Sequence, residues 1–352
     1  MSANLTRPLL AAALTLAPAA IAETPVTTAL PAVPDAFGFA GAFAGIHRGH
    51  LVACGGANFP DGIMPWDGGT KVWSDRIFTL DLRNPNAQWI SPGKLPSPNG
   101  YGVSLTVPDG VLLIGGSDKL RHFADVRLLG LDNDGNPVFK DFPSLAKPLA
   151  QMCGALVGTR IHVCGGIVNP SDTTALANHW ILDLDAIPKG WVEGPPLPGA
   201  GRILCTAAAI QGDLIVAGGC SLKPDRSGKP ARTYLTDAWC FTAGAWKRIA
   251  DLPRPATAAA SPAPVSGDTC YIISGDDGSQ AGLPSPASHR GFTPEVLRYD
   301  RSANQWTTAG KLDVPPPVTL PTAPWKSGVI LFNGEVKPGV RTPGVVHFSM
   351  VP

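Results

Sequence analysis

Short apolar runs alternate with small or polar breaks along the whole chain. Six times an apolar run closes on two small residues. Four of these doublets are glycine pairs, Gly55-Gly56, Gly115-Gly116, Gly165-Gly166 and Gly218-Gly219, and two are degenerate, Ser274-Gly275 and Asn333-Gly334. Between their second residues the chain advances 60, 50, 53, 56 and 59 positions. A variable loop follows each doublet, then a further run with an apolar or aromatic centre. Trp89, Trp191, Trp246 and Trp306 stand late in four repeats, and Leu95-Pro96, Leu197-Pro198 and Leu252-Pro253 follow three of them. The repeat holding Val138-Phe139 lacks the tryptophan. Runs this short, bounded by Gly and Pro, read as strands rather than helices.

A period of roughly 55 residues holds four short strands, close to the ~50 residues of kelch repeats. One four-stranded sheet cannot bury both faces, whereas a ring of such sheets can. The pattern therefore predicts an all-β, six-bladed β-propeller of the kelch type. The glycine pairs are expected to end an inner strand where backbones approach closely, and the tryptophans to pack between blades. After the last doublet only Gly344 to Met350 remains to make a third strand. Thr24 to Val33 is expected to supply the fourth, so that an N-terminal strand closes the ring and removes open sheet edges.

Composition agrees with strands rather than disorder. The chain has 40 Gly and 37 Pro, but hydrophobic residues make up 44% and charged residues only 16%, the reverse of a disordered chain. The net charge is +1 without a run of either sign, so no nucleic-acid footprint is expected. Arg7, the apolar run Leu9 to Ala19 and the small-x-small site Ala20-Ile21-Ala22 predict an export signal over 1–22, cleaved before Glu23. The propeller would then occupy 23–352 in the periplasm. The apolar run is shorter than the roughly 20 residues of a span, so no stable membrane anchor is expected. The seven cysteines are an odd number, and Cys54, Cys164 and Cys270 read as small buried hydrophobes. If Gly158-Thr159 is a two-residue turn, Cys153 faces Cys164; whether the two form a disulfide stays open.

Motifs for metal or nucleotide chemistry are missing. The histidines are scattered without a His-x-x-x-His pair, and neither Gly-x-Ser-x-Gly nor Gly-x-Gly-x-x-Gly occurs. Four tyrosines spread along the chain give no Tyr and His set of the kind a kelch-type copper radical oxidase needs. No cofactor or metal is expected.

One segment carries specific chemistry. Asn333 to Thr342 (NGEVKPGVRT) resembles the NGExKPGxRT motif of the bacterial N-acetylneuraminate epimerases, the sialic acid mutarotases. Gly38 to Phe59 resembles that family's GGFAG…GG segment, and Tyr101 to Leu105 with Leu113 to Gly116 another. The decapeptide sits mid-chain in the best-known members but near the C-terminus here, as in a circularly permuted branch; a closed ring tolerates permutation because its termini adjoin. The resemblance implies Glu335 as the catalytic acid/base of anomer exchange on a small sugar acid. Arg341 is assigned to the substrate carboxylate, which a guanidinium can grip with two parallel hydrogen bonds. Pro338-Gly339 should turn the chain between them. Weaker candidates lie in other loops. Asn58, with Trp66 and Trp73, belongs to the long loop after the first doublet; Arg121-His122 and Asn169 follow the second and third; Arg202 precedes an inner strand. Of these, Asn58, Arg121 and Arg202 are taken as substrate-binding. The alternative is a non-catalytic kelch module that binds glycan or protein, which has no need of a buried base. The sequence leaves the oligomeric state unknown.

Overall fold

The computed structural model describes residues 23–351, so the expected export signal at 1–22 lies outside the described residues. Six four-stranded antiparallel sheets follow one another along the chain. The first blade runs Phe43–His47, His50–Cys54, Arg76–Asp81 and Ile90–Lys94. The next four open at Val103–Val107, Cys153–Val157, Thr206–Ile210 and Val265–Ser266. The sixth comprises Thr322–Trp325, Gly328–Phe332 and Val345–Val351, and its outer strand is Thr24–Leu30. Thr24 pairs with Val351 and Leu30 with Val345, so the N-terminal strand closes the ring as its sequence implied. Among the described residues no helix is long and apolar enough to cross a membrane.

The first strand of each blade is innermost, and neighbours pack there: Phe43–His47 lies against Val103–Val107, and Cys153–Val157 against Thr206–Ile210. Just before these strands, six residues take left-handed backbone: Gly41, Tyr101, Gln151, Leu204, Ala258 and Thr319, with φ from 55° to 64°. Each donates its N–H to the carbonyl of the equivalent residue in the preceding blade. Tyr101 donates to Gly41, Gln151 to Tyr101, Leu204 to Gln151, Ala258 to Leu204, Thr319 to Ala258 and Gly41 to Thr319, at 2.7 to 2.8 Å. The result is a closed belt of hydrogen bonds around the axis. Left-handed backbone costs a non-glycine residue about 1–2 kcal/mol, which the belt offsets by satisfying six otherwise buried donors.

The doublets end the second strand of each blade, next to the innermost one. The reason for small residues stands. Gly55 and Gly56 have φ of 67° and 82°, and a Cβ on Gly55 would lie 2.2 Å from the Asn99 carbonyl oxygen. Ser274 and Asn333 keep the same left-handed backbone in the degenerate copies, at φ 61° and 56°. The tryptophans join blades through their indole N–H groups. Trp89 donates to Pro31 O, Trp191 to Pro143 O, Trp246 to Pro195 O and Trp306 to Ala250 O, at 2.7 to 2.9 Å. Each acceptor belongs to the outer edge of the preceding blade. All seven cysteines are buried and free. Cys153 does face Cys164 in register, but its sulfur lies 3.2 Å from that of Cys205 in the next blade.

Candidate active site at the channel mouth

The residue after each doublet forms a short antiparallel bridge with the residue before the belt. These pairs are Ala57 with Ala40, Ser117 with Gly100, Ile167 with Ala150, Cys220 with Ile203, Asp276 with Thr257 and Glu335 with Val318. The six post-doublet residues thus border one end of the channel. Only Asp276 and Glu335 among them are acidic.

Glu335 is pinned by its backbone, exchanging hydrogen bonds of 2.9 Å with Val318. It also begins a small hairpin, Glu335–Lys337 with Val340–Arg341, in which Glu335 pairs directly with Arg341. The turn falls at Pro338-Gly339, as the sequence suggested. Gly339 has φ 81° and lies beneath the loop residues Met64, Pro65 and Trp66, which a Cβ would meet at 3.2 to 3.3 Å. A side chain there would be strained in backbone and packing alike.

The hairpin places a base beside a guanidinium. Glu335 Oε1 accepts from the Gly339 N–H at 3.1 Å, and Oε2 lies 3.1 Å from Arg341 Nη1. That approach is too oblique for a hydrogen bond, and buried Nη1 has no aligned acceptor. Arg341 Nε makes only a long contact of 3.4 Å to Ala57 O, and its guanidinium carbon lies 4.8 Å from the Phe59 ring centre. Burial raises the Glu335 carboxyl above its ordinary range, although Arg341, the Gly339 N–H, Lys71 and Arg232 pull the other way. The arrangement is a partly satisfied ion pair, with a base primed to accept a proton and a cation with a free prong.

Lys71 completes the pocket, and sequence reading did not single it out. Strand Val72–Trp73 pairs with Ala57–Asn58, which brings the end of the long first loop back over the mouth. The ammonium of Lys71 lies 4.3 Å from the Trp73 ring centre and 4.8 Å from that of Tyr101. Burial, then the charge of Arg341, lowers its pKa to about 8, while Glu335 acts in the opposite sense. Phe59, Pro65, Gly69, Lys71, Glu335, Gly339 and Arg341 line a cavity of about 320 Å³. The signal available in the sequence was only that Lys71 follows Gly68-Gly69 and precedes Trp73 in that loop. Trp66 covers the Gly339 turn, and Trp73 supports Lys71.

Three expected substrate contacts lie elsewhere. Arg202 is fully buried, and its guanidinium grips Asp237 at 3.0 and 2.7 Å while Nη1 also donates to Gly218 O at 3.2 Å. The partner fills the fork, so Arg202 holds the fourth blade together. Arg121 is exposed and stacks over Phe123 at 5.3 Å, outside the cavity. Asn58 is buried and its amide donates to Asp35 Oδ1 at 3.2 Å, so it braces the loop from behind. Among the described residues no three His, Cys, Asp or Glu side chains converge to hold a metal ion.

Residues 21–138 match the family model described as N-acetylneuraminate epimerase. The N-acetylneuraminate epimerase of Haemophilus influenzae (strain PittEE) is 36% identical over 104 residues, covering 27% of this chain and 27% of that protein. That of Yersinia pestis (strain Pestoides F) is 41% identical over 87 residues, 22% and 21% of the two chains. That of Salmonella enteritidis PT4 (strain P125109) is 39% identical over 112 residues, 29% and 28%. The chain therefore matches about a quarter of the length of these curated relatives. A solved structure titled "Structure of YjhT" superposes with a TM-score of 0.66 over 92% of this chain and 99% of the other, at 14% identity, which bears on the fold alone. Lys71 and Tyr101 lie inside the matched stretch, Glu335 and Arg341 beyond it. The chain is thus similar in sequence to the N-acetylneuraminate epimerases from its N-terminal strand into its second blade, and in fold it is a six-bladed kelch-type propeller throughout.

Proposed function

We propose that this protein interconverts the anomers of N-acetylneuraminate, or of a closely related sugar acid, by opening and reclosing the ring. The observation that carries the reading is the Glu335–Arg341 pair: a carboxyl raised by burial, 3.1 Å from a guanidinium nitrogen that lacks an aligned acceptor. Anomer exchange asks for both parts. A base must take the proton of the anomeric hydroxyl, and an elevated carboxyl suits that task near neutral pH. The substrate also bears a carboxylate on the reacting carbon, to which the Arg341 guanidinium, lining the same cavity, can donate. The similarity to proteins named N-acetylneuraminate epimerase supports the same substrate class.

The site suits a ring that opens and turns within a shallow, part-open pocket. With the sugar carboxylate on Arg341, Glu335 faces the anomeric carbon. The open-chain ketone rotates about its carbon–carbon bond, and the ring hydroxyl attacks the other face. Export with cleavage before Glu23 forms part of this proposal. Mass spectrometry of the mature protein checks it, and an intact N-terminus in a cytoplasmic fraction contradicts it.

One-dimensional proton NMR of freshly released sialic acid, with and without the protein, tests the activity. The protein should speed the approach to the equilibrium anomer ratio well above the spontaneous rate. If the sugar binds without any gain in rate, the non-catalytic binding module replaces the enzyme.

A further inference from the structure

We infer that Lys71 is the proton partner of Glu335, giving a proton to the departing ring oxygen and recovering it on reclosure. This rests on the mutarotase reading and adds the second half of its acid/base pair. Ring opening needs two proton movements at opposite ends of one bond change, and Glu335 can serve only one end at a time.

The geometry sets Lys71 apart from an ordinary lysine. Such side chains lie along the surface with the ammonium in water or form exposed ion pairs. Here the ammonium sits over the faces of Trp73 and Tyr101, and among the described residues no carboxylate comes within 4.0 Å of it. It opens on the same cavity as Glu335 and Arg341. The charged groups that act on it are those two, Arg341 lowering its pKa and Glu335 raising it. Arg341 lines the cavity as well and is the cation suited to the sugar carboxylate, so that grip does not require Lys71. An ammonium that titrates at about 8 is a competent general acid near neutral pH, whereas an ordinary lysine is a poor one.

The step balances without any co-reactant. The anomeric hydroxyl proton passes to the Glu335 carboxylate, and the electrons of that O–H bond form the ketone C=O. The bond from the anomeric carbon to the ring oxygen breaks, and its electron pair takes a proton from the Lys71 ammonium. After rotation, the freed hydroxyl attacks the other face of the ketone and returns its proton to the neutral Lys71 amine. The Glu335 carboxyl returns its proton to the former ketone oxygen.

Two measurements test the inference. In the first, anomer exchange is followed across pH for wild type, Lys71→Arg and Lys71→Met. Wild-type kcat should fall as pH rises through the titration of Lys71, and both variants should lose roughly 10²-fold or more in kcat together with that limb. Arg keeps the charge but holds its proton too tightly to give it up. Lys71→Arg at wild-type rate with its basic limb intact would overturn the inference and leave the mutarotase reading standing. Wild type that does not speed anomer exchange removes the reading and the inference together. The second measurement needs no turnover. With lysines labelled at ¹³Cε, the Lys71 signal should titrate at about 8, moving up in Arg341→Gln and down in Glu335→Gln. Titration in the ordinary lysine range, unmoved by either change, would overturn the pairing.

Discussion

The fourth and sixth blades each bury an arginine against a carboxylate, and the two pairs differ in how fully they are satisfied. Arg202 meets Asp237 through two near-parallel hydrogen bonds, and Asp237 also accepts from the Trp239 indole at 2.7 Å. Burial alone would raise the Asp237 carboxyl, but the Arg202 hydrogen bonds and charge override it and hold it low. Arg341 meets Glu335 off-axis, and there burial prevails and raises the carboxyl. The first pair leaves only the buried Nε of Arg202 without an acceptor, while both prongs of its fork are taken by Asp237. The second keeps a base and a donor in want of partners, beside a cavity. Two sets of similar residues on one scaffold become a strut and a site through geometry alone.

The contrast predicts separate consequences for breaking each pair. Glu335→Gln keeps size and hydrogen bonding, so it should leave the melting temperature near wild type while lowering the anomer-exchange rate roughly 10²- to 10⁴-fold. Asp237→Ala should do the reverse. It strands a fully buried guanidinium, which costs about 3–5 kcal/mol of stability, readable in urea unfolding; the rate per folded molecule should stay near that of wild type. Arg341→Lys keeps the charge but loses the planar fork of guanidinium donors. It should weaken substrate binding by about 1.5–3 kcal/mol, seen in KM with kcat less affected.

The smallest effect lies in the pH dependence of stability, where the two carboxyls have opposite signs. Asp237 titrates below its ordinary 3.8 in the fold, so its contribution is present above that value and lost as pH falls through the depressed pKa. Glu335 titrates above its ordinary 4.5, so its contribution is present below that value and lost as pH rises through the raised pKa. Urea unfolding across the acid range should therefore show Asp237→Asn flattening the acid limb. Glu335→Gln should remove a term of opposite slope. Both ride on a shared background from His162 and His179, buried, stacked and joined at 2.8 Å. Burial lowers each to about 4, so stability is full above 6.5 and drains as pH falls toward 4 in every variant.

Much of this scaffold is legible in the chain because its constraints leave marks on residue type. Doublets need small residues at left-handed, crowded positions, and the tryptophans must reach back to the preceding blade. The N-terminal strand could be placed because a ring short of one strand must find it elsewhere. The belt of hydrogen bonds left no such mark. Five of its six left-handed residues are Tyr101, Gln151, Leu204, Ala258 and Thr319, which no turn rule would select, because tertiary hydrogen bonding rather than residue preference holds them there. The site was half legible. Glu335 and Arg341 lie six positions apart across a Pro-Gly turn, so local sequence brings them together. Arg202 resembled them because its partner Asp237 stands 35 residues away, beyond what spacing can reveal. Lys71 was hidden for the same reason: only the strand pairing of Ala57–Asn58 with Val72–Trp73 brings it to the mouth.

Exchange NMR on an equilibrium mixture of N-acetylneuraminate anomers tests the central claim most directly, since magnetisation passes between the two anomers only as they interconvert. Wild type should give exchange cross-peaks above the uncatalysed background. Asp237→Asn, under conditions where it is folded, should give them too, and Glu335→Gln should fall to background. Cross-peaks of wild-type intensity from folded Glu335→Gln, or none from wild type, would contradict the assignment of the site to the unsatisfied pair.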